Sequence, residues 1–144
     1  MKRFVSFRKP AAVLAALGVF ALAAVAAQET PFRLSGTFTF SVKGNKVEAS
    51  GSGQAAPGGA FTFHDVVRSE YGGREIEGTL TFRFASGSTL TIYYEAPISS
   101  DLVVEGPYWV VGGTGQFEGA SGSGVIWYPI GQNAPFTLDG SLRR

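Results

Sequence analysis

The chain contains no cysteine and one histidine, His64. Without cysteine there is no disulfide framework and no acyl-cysteine lipid anchor. One imidazole and no thiolate cannot assemble a zinc site of His and Cys ligands. No metal or cofactor site is therefore expected. After residue 27 there is no amphipathic helical stretch and no run of basic residues. Nucleic acid, whose binding needs a basic footprint, is not an expected partner.

What stands at the N-terminus is a leader. Met1 to Ala27 carries Lys2, Arg3, Arg8 and Lys9, then an uncharged apolar stretch from Ala11, and closes on Ala24-Val25-Ala26. That layout is a secretory signal peptide cut after Ala26 or Ala27. The alternative, an uncleaved anchor, would sit at the lower length limit for a span, and the small residues at the end favour cleavage. Residues 1–27 are thus expected to leave and 28–144 to form one domain, in a secreted, periplasmic or cell-envelope location. Removal of the leader leaves eight Lys and Arg against eleven Asp and Glu, a net charge near −3 in place of +1.

The mature chain alternates. Leu34, Gly36, Phe38, Phe40 and Val42 interleave with Ser35, Thr37, Thr39 and Ser41, the period-2 pattern of a half-buried strand. Leu80, Phe82 and Phe84 repeat it, as do Leu90, Ile92 and Tyr94, with Ala85-Ser86-Gly87-Ser88 between them as a hairpin turn. Shorter strands are expected at Val47–Ser50, Ala60–Val67, Leu102–Glu105, Tyr108–Val111, Val125–Tyr128 and Phe136–Leu142. Gly51 to Gly59 reads as the longest loop, a mobile surface segment. The pattern predicts an all-β fold, a small antiparallel closed barrel of about eight strands. The clear runs fall short of the 9–11 residues of a tilted membrane strand, so stable membrane insertion is not expected and Phe is placed inside.

Val110-Val111-Gly112-Gly113-Thr114-Gly115-Gln116-Phe117-Glu118-Gly119-Ala120-Ser121-Gly122-Ser123-Gly124 resembles the signature of the allene oxide cyclase and dirigent superfamily, in which such a run joins two barrel strands. The segments Val125–Tyr128 and Phe136–Gly140 fit the closing strands of those barrels. The resemblance implies a barrel whose apolar lumen opens at one end and, in the plant enzymes, holds a small hydrophobic substrate with acidic or polar residues to steer it. It transfers no catalytic residue here. Gly112, Gly113, Thr114, Gly115, Phe117 and Gly119 read as structural: glycines for a tight reversal and Phe117 as a plug. An anion nest of backbone amides is the other reading, and no basic residue lies beside it.

Candidate chemistry follows from strand phase. Asp65, in phase with Phe61 and Phe63, is the acid placed to face the lumen, where burial would keep it protonated, with Tyr94 as a polar helper. The plainer reading ends a strand at Asp65 near Arg68 and water. His64 and Asp65 point to opposite faces and form no dyad. Gly51-Ser52-Gly53 and Gly122-Ser123-Gly124 lack the strand-to-helix context of a nucleophile elbow. Glu75 and Glu77 share a face, as a glycosidase pair would, or as a solvated edge does. Phe63, Phe82, Ile92, Tyr94, Trp109 and Trp127 are the expected lining of a ligand site, and Trp109 and Trp127, with Tyr108 and Tyr128, could stack on a sugar, line a pocket or simply fill the interior.

Three functions remain open on these residues. The first is binding of a small apolar ligand in the lumen, the second an isomerase-like or cyclase-like activity using Asp65 and Tyr94. The third is a non-catalytic structural or interaction protein of the envelope, with self-association possible but no interface readable.

Overall fold

A computed structural model describes residues 27–43, 46–70 and 74–144. Residues 1–26, which hold most of the expected leader, and residues 44–45 and 71–73 lie outside the described residues. Eight antiparallel strands follow in chain order: β1 Glu29–Lys43, β2 Lys46–Ala56, β3 Gly59–Glu70, β4 Glu75–Phe84, β5 Thr89–Pro97, β6 Val103–Thr114, β7 Ser121–Pro129 and β8 Ala134–Arg143. Each pairs with the next, and β8 pairs back onto β1, Glu29 opposite Arg143 through Phe38 opposite Ala134, so the sheet closes into a barrel without free edges.

Alternation decides which way each strand faces. Along β4, Ile76, Leu80, Phe82 and Phe84 are buried while Glu75, Thr79 and Arg83 are exposed. β5 and β8 repeat the pattern with Leu90, Ile92 and Tyr94, and with Phe136, Leu138 and Leu142. The inside is therefore apolar. The outside carries charged residues such as Arg33 and Asp139, whose ion pair at 3.4 Å spans the β1–β8 seam in water and adds little stability. The strands run from 9 to 15 residues, so the expectation of strands too short for a membrane does not hold. What separates this barrel from a lipid-facing one is the placement of its faces, since the polar residues line the outside.

The segment Gly51–Gly59, expected to be a mobile loop, is instead mostly strand: β2 continues to Ala56, and only Pro57 and Gly58 turn. Its inward positions are Ala49, Gly51, Gly53 and Ala55, with Ser50, Ser52 and Gln54 outward. The period of two is present but written in small residues, because rings from neighbouring strands fill the space in front of them. A β-carbon built on Gly51 would lie 2.6 Å from Cε1 of Phe63, and one on Gly36 would lie 2.9 Å from Cε1 of Phe136. Phe61, Phe63, Phe82 and Phe136 meet edge to face or stacked at centroid separations of 5.2 to 6.5 Å and fill the middle of the bore.

Leu102–Glu105 and Tyr108–Val111 are not two strands but one, β6, with a bulge. The register passes from Ile92 opposite Val110 to Thr91 opposite Gly112, leaving Val111 unpaired. The bulge reverses the phase and turns Gly113 toward Phe117, where a β-carbon would come within 2.9 Å of the Phe117 β-carbon. Gly115 and Gly119 take positive φ, 59° and 70°, around the 3-10 turn Gly115–Phe117. Thr114 Oγ1 accepts the Thr89 N–H at 3.1 Å, and Ser88 Oγ accepts that of Gln116 at 3.1 Å. Phe117 is fully buried, packed on Phe84 at 4.8 Å and Phe32 at 6.3 Å, and the Arg144 guanidinium caps its ring at 5.5 Å. These residues close one end of the barrel, the plug end.

Alanine at Gly51 is expected to lower stability by about 1–3 kcal/mol, because Phe63 and the β1 backbone leave no room. Alanine at Gly112, whose nearest neighbour would be Thr91 Cβ at 3.9 Å, should change it by less than about 0.5 kcal/mol. Urea midpoints at constant m-value measure both.

Candidate functional site

The end of the barrel opposite the plug holds an interior space. It is a cavity of about 20 Å³, room for a single water, lined by Phe38, Phe40, Ala49, Phe63, Leu80, Tyr94, Ile126, Tyr128 and Phe136. All of these are buried except Phe40, which is half-buried and lies over the space at the rim, edge-on to Phe38 at 4.7 Å and tilted against Tyr128 at 6.1 Å. Phe40 comes from β1 and Ala49 stands opposite it on β2, so a methyl rather than a larger group faces the ring.

Two hydroxyls break the apolar lining. Tyr94 on β5 and Tyr128 on β7 point inward from either side of β6 and share a buried hydrogen bond of 2.9 Å between their oxygens. Tyr94 fits there because Gly78 stands opposite it on β4: a β-carbon at Gly78 would lie 2.9 Å from Cε1 of Tyr94. Burial pushes the Tyr94 phenol up to about 12, against the opposing hydrogen bond from Tyr128. Tyr128 is pushed in the same direction, by burial first and then by its tyrosine neighbour. Both stay protonated at neutral pH, a neutral donor-acceptor pair in an apolar surround. A pair of hydroxyls has more bonding capacity than its one shared bond uses, leaving a donor and lone pairs for a third group.

Tyr108 is a separate case. Its ring lies along the wall over two glycines, so that a β-carbon on Gly124 would lie 2.7 Å from its Cε1 and one on Gly140 would lie 2.6 Å from its oxygen. The residue is fully buried and its hydroxyl has no hydrogen-bond partner. Burial, and then the charge of Asp139, raise that phenol to about 12. It does not line the cavity.

The sequence-expected lining divides three ways. Phe63 and Tyr94 line the cavity; Phe82 and Ile92 are buried in the core away from it. Trp109 and Trp127 were expected inside, and the structure corrects this. Trp109 is 43% exposed on the outer wall, and Trp127 faces outward between inward Ile126 and Tyr128. In Tyr108-Trp109 and Trp127-Tyr128 an aromatic occupies both phases, so alternation alone cannot choose the inner one. Each time the tyrosine went in, Tyr108 over the glycines opposite and Tyr128 against Phe38. Phe38, Phe40, Ala49, Leu80, Ile126, Tyr128 and Phe136 were absent from the expected lining, although the inward phase of Phe38 and Phe40 in β1 was legible.

Asp65 and Tyr94 are not brought together. The β3–β4 pairing stops after Thr62 opposite Arg83 and resumes at Val67 opposite Gly78. In the gap the Asp65 carboxylate accepts the Thr81 N–H at 2.8 Å, standing in for a strand carbonyl. Half-burial raises its pKa, opposed by the Thr81 N–H and by Arg83 and His64. Neighbouring His64 is exposed. Glu75 and Glu77 lie on the outer wall, where Glu77 accepts the Tyr93 hydroxyl at 3.1 Å. Among the described residues no group of three or more His, Asp or Glu is placed to hold a metal.

No family model and no curated protein matches the chain. Among solved structures it is similar to the pterocarpan synthase dirigent protein GePTS1, at a TM-score of 0.59 and 16% identity over 81% of this chain and 85% of that one. It is similar also to the pterocarpan synthase dirigent protein PsPTS1, at 0.54 and 15% over 81% of this chain and 94% of that one. At this identity the likeness is one of fold: the chain forms a dirigent-like β-barrel, the architecture implied by the glycine run at Val110–Gly124.

Two outcomes follow from these placements. Asp65→Ala, which orphans the Thr81 N–H, is expected to cost about 1–3 kcal/mol, while Asp65→Asn keeps an acceptor and costs less, as chemical denaturation can show. The tyrosines give an alkaline signature. A phenol whose folded pKa lies above its ordinary 10.0 holds its proton more tightly folded than unfolded. That contribution is complete below the unfolded value and lost as pH rises from 10.0 toward about 12. Melting temperatures should therefore hold to about pH 10 and then fall, with phenolate absorbance of the buried tyrosines appearing only on unfolding; Tyr94→Phe/Tyr128→Phe should flatten the fall.

Proposed function

We propose that this barrel is a non-catalytic binding protein for a small ring-shaped molecule carrying one hydroxyl, held at the end opposite the plug. The observation that carries the reading is the Tyr94–Tyr128 hydroxyl pair, buried beside the cavity in an otherwise apolar interior. Buried polar groups are costly unless satisfied, and a pair with bonding capacity to spare suits a ligand that brings a third hydroxyl. The aromatic walls suit the ring.

The cavity of about 20 Å³ is far smaller than the few hundred Å³ of a usual ligand site, so binding requires a side chain to leave. Phe40 is the lining residue able to do so, being half-buried at the rim. Its ring has the size of the ring it would admit. The structurally similar dirigent proteins are pterocarpan synthases, which supports a small-molecule ligand for this barrel. Asp65 is committed to the β3–β4 ladder and no Asp or Glu is among the described residues lining the cavity, which favours binding over a cyclase-like reaction.

The side-chain-filled bore favours a second reading, a structural or interaction protein whose interior never opens. Titration with phenol and with its methyl ether anisole, followed by NMR of the tyrosine rings, separates the two. Binding predicts saturable shifts with phenol in the native protein and about tenfold tighter binding in Phe40→Ala, where the ring is already gone. Anisole should be weaker by several-fold, and Tyr94→Phe/Tyr128→Phe should erase that preference. No saturation in the native protein, or equal affinity for phenol and anisole, overturns the reading and leaves the filled barrel.

A further inference from the structure

The outer wall across β4, β5 and β6 holds a second concave feature, unrelated to the bore. Tyr93 and Trp109 stand opposite each other on β5 and β6, their rings nearly parallel, 23° apart, at 6.1 Å. Beside Trp109 runs a groove of about 250 Å³ lined by Glu75, Glu95, Ala96, Pro97, Pro107 and Trp109. The groove is lined by the Trp109 indole and by Pro97 and Pro107, and its charged groups are two carboxylates.

Those polar groups decide what fits. An ionised carboxylate only accepts hydrogen bonds, and the neighbouring Tyr93 hydroxyl is already directed to Glu77 at 3.1 Å and Glu95 at 3.4 Å. A neutral sugar could use the Trp109 indole N–H and donate to the carboxylates, but it brings no charge to offset theirs, whereas a cation does. Like charges add to the demand. The groove itself carries two carboxylates, Glu75 and Glu95, and Glu95 also stands opposite Glu77 in the β4–β5 ladder, where like charges repel. No cationic side chain is among the groove-lining residues described. Arg74 precedes Glu75 in the chain without lining the groove. A cation over the indole face is attracted by the ring's π-electrons, and an alkyl stem lies comfortably on Pro97 and Pro107.

The geometry points to a binding site for an organic cation, an ammonium or guanidinium on a short carbon stem, seated on Trp109 and Pro107 with its charge between Glu75 and Glu95. The same chemistry is offered by a free alkylamine and by a lysine or arginine side chain of a partner.

The test uses the full protein with Trp127→Phe, so that Trp109 alone reports by fluorescence. The probes are n-butylammonium, N-acetyl-lysine amide and N-acetyl-arginine amide, with methyl glucoside as the neutral control. Saturable changes with the cations, lost with added salt and weakened about tenfold by Glu75→Gln/Glu95→Gln, support the site. Equal binding of butylammonium and the amides indicates a free amine as the natural ligand; tighter binding of the amides indicates a side chain of a partner. Saturation by methyl glucoside, indifference to the double Gln variant, or no saturation by any cation overturns the assignment.

Discussion

A closed sheet of eight strands encloses a bore of nearly fixed width, and large side chains fit inside only where a neighbouring strand yields. That constraint organises this molecule. Phe63 rests against Gly51, Phe136 against Gly36, Tyr94 against Gly78, and Tyr108 across both Gly124 and Gly140. The inward glycines are thus the counterparts of the rings, and neither member of a pair has a function in packing without the other. The plug end follows the same rule, with Gly113 giving way to Phe117.

The rule also locates the polar groups. A tyrosine that lies down on a glycine carries its hydroxyl wherever the ring leads. For Tyr94 and Tyr128 the rings lead to each other, and one bond of 2.9 Å satisfies part of both. For Tyr108 the ring leads to the β8 wall and the oxygen finds nothing, a cost offset by the contact of its ring with two strands. The same packing that fills the middle of the bore thus leaves a hydroxyl pair under Phe40 at the end opposite the plug.

Much of the architecture was legible because the larger inward residues alternate with Thr, Ser and Arg. Strand direction, the closed barrel and the inward phase of Phe38, Phe61, Phe82 and Leu90 all rest on that contrast. The reading failed where contrast failed. In β2 the inward residues are Gly and Ala, so a regular strand looked like a loop. At Tyr108-Trp109 and Trp127-Tyr128 both phases are aromatic, and the choice depends on what lies across the barrel, which a linear pattern does not contain. Asp65 was in the inward phase, but a local break in pairing sends its carboxylate into the ladder, and no property of residues 61–67 alone announces that break. The bulge at Val111 was similarly invisible, although the glycine pair after it marked an irregularity.

Seven of the eight strand pairings join neighbours in the chain, and the eighth joins its two ends, with Glu29 opposite Arg143. Its ladder is as continuous as those of the hairpins, and Phe32 and Arg144 from the two ends meet on Phe117. In physical terms the molecule is a ring of hairpins, and the gap between its termini is an accident of covalent order. No strand is first or last in the energetics of the sheet. A barrel chain that began at Thr89 and ended at Phe84, with Glu29 and Arg143 joined by a short link, would describe the same sheet.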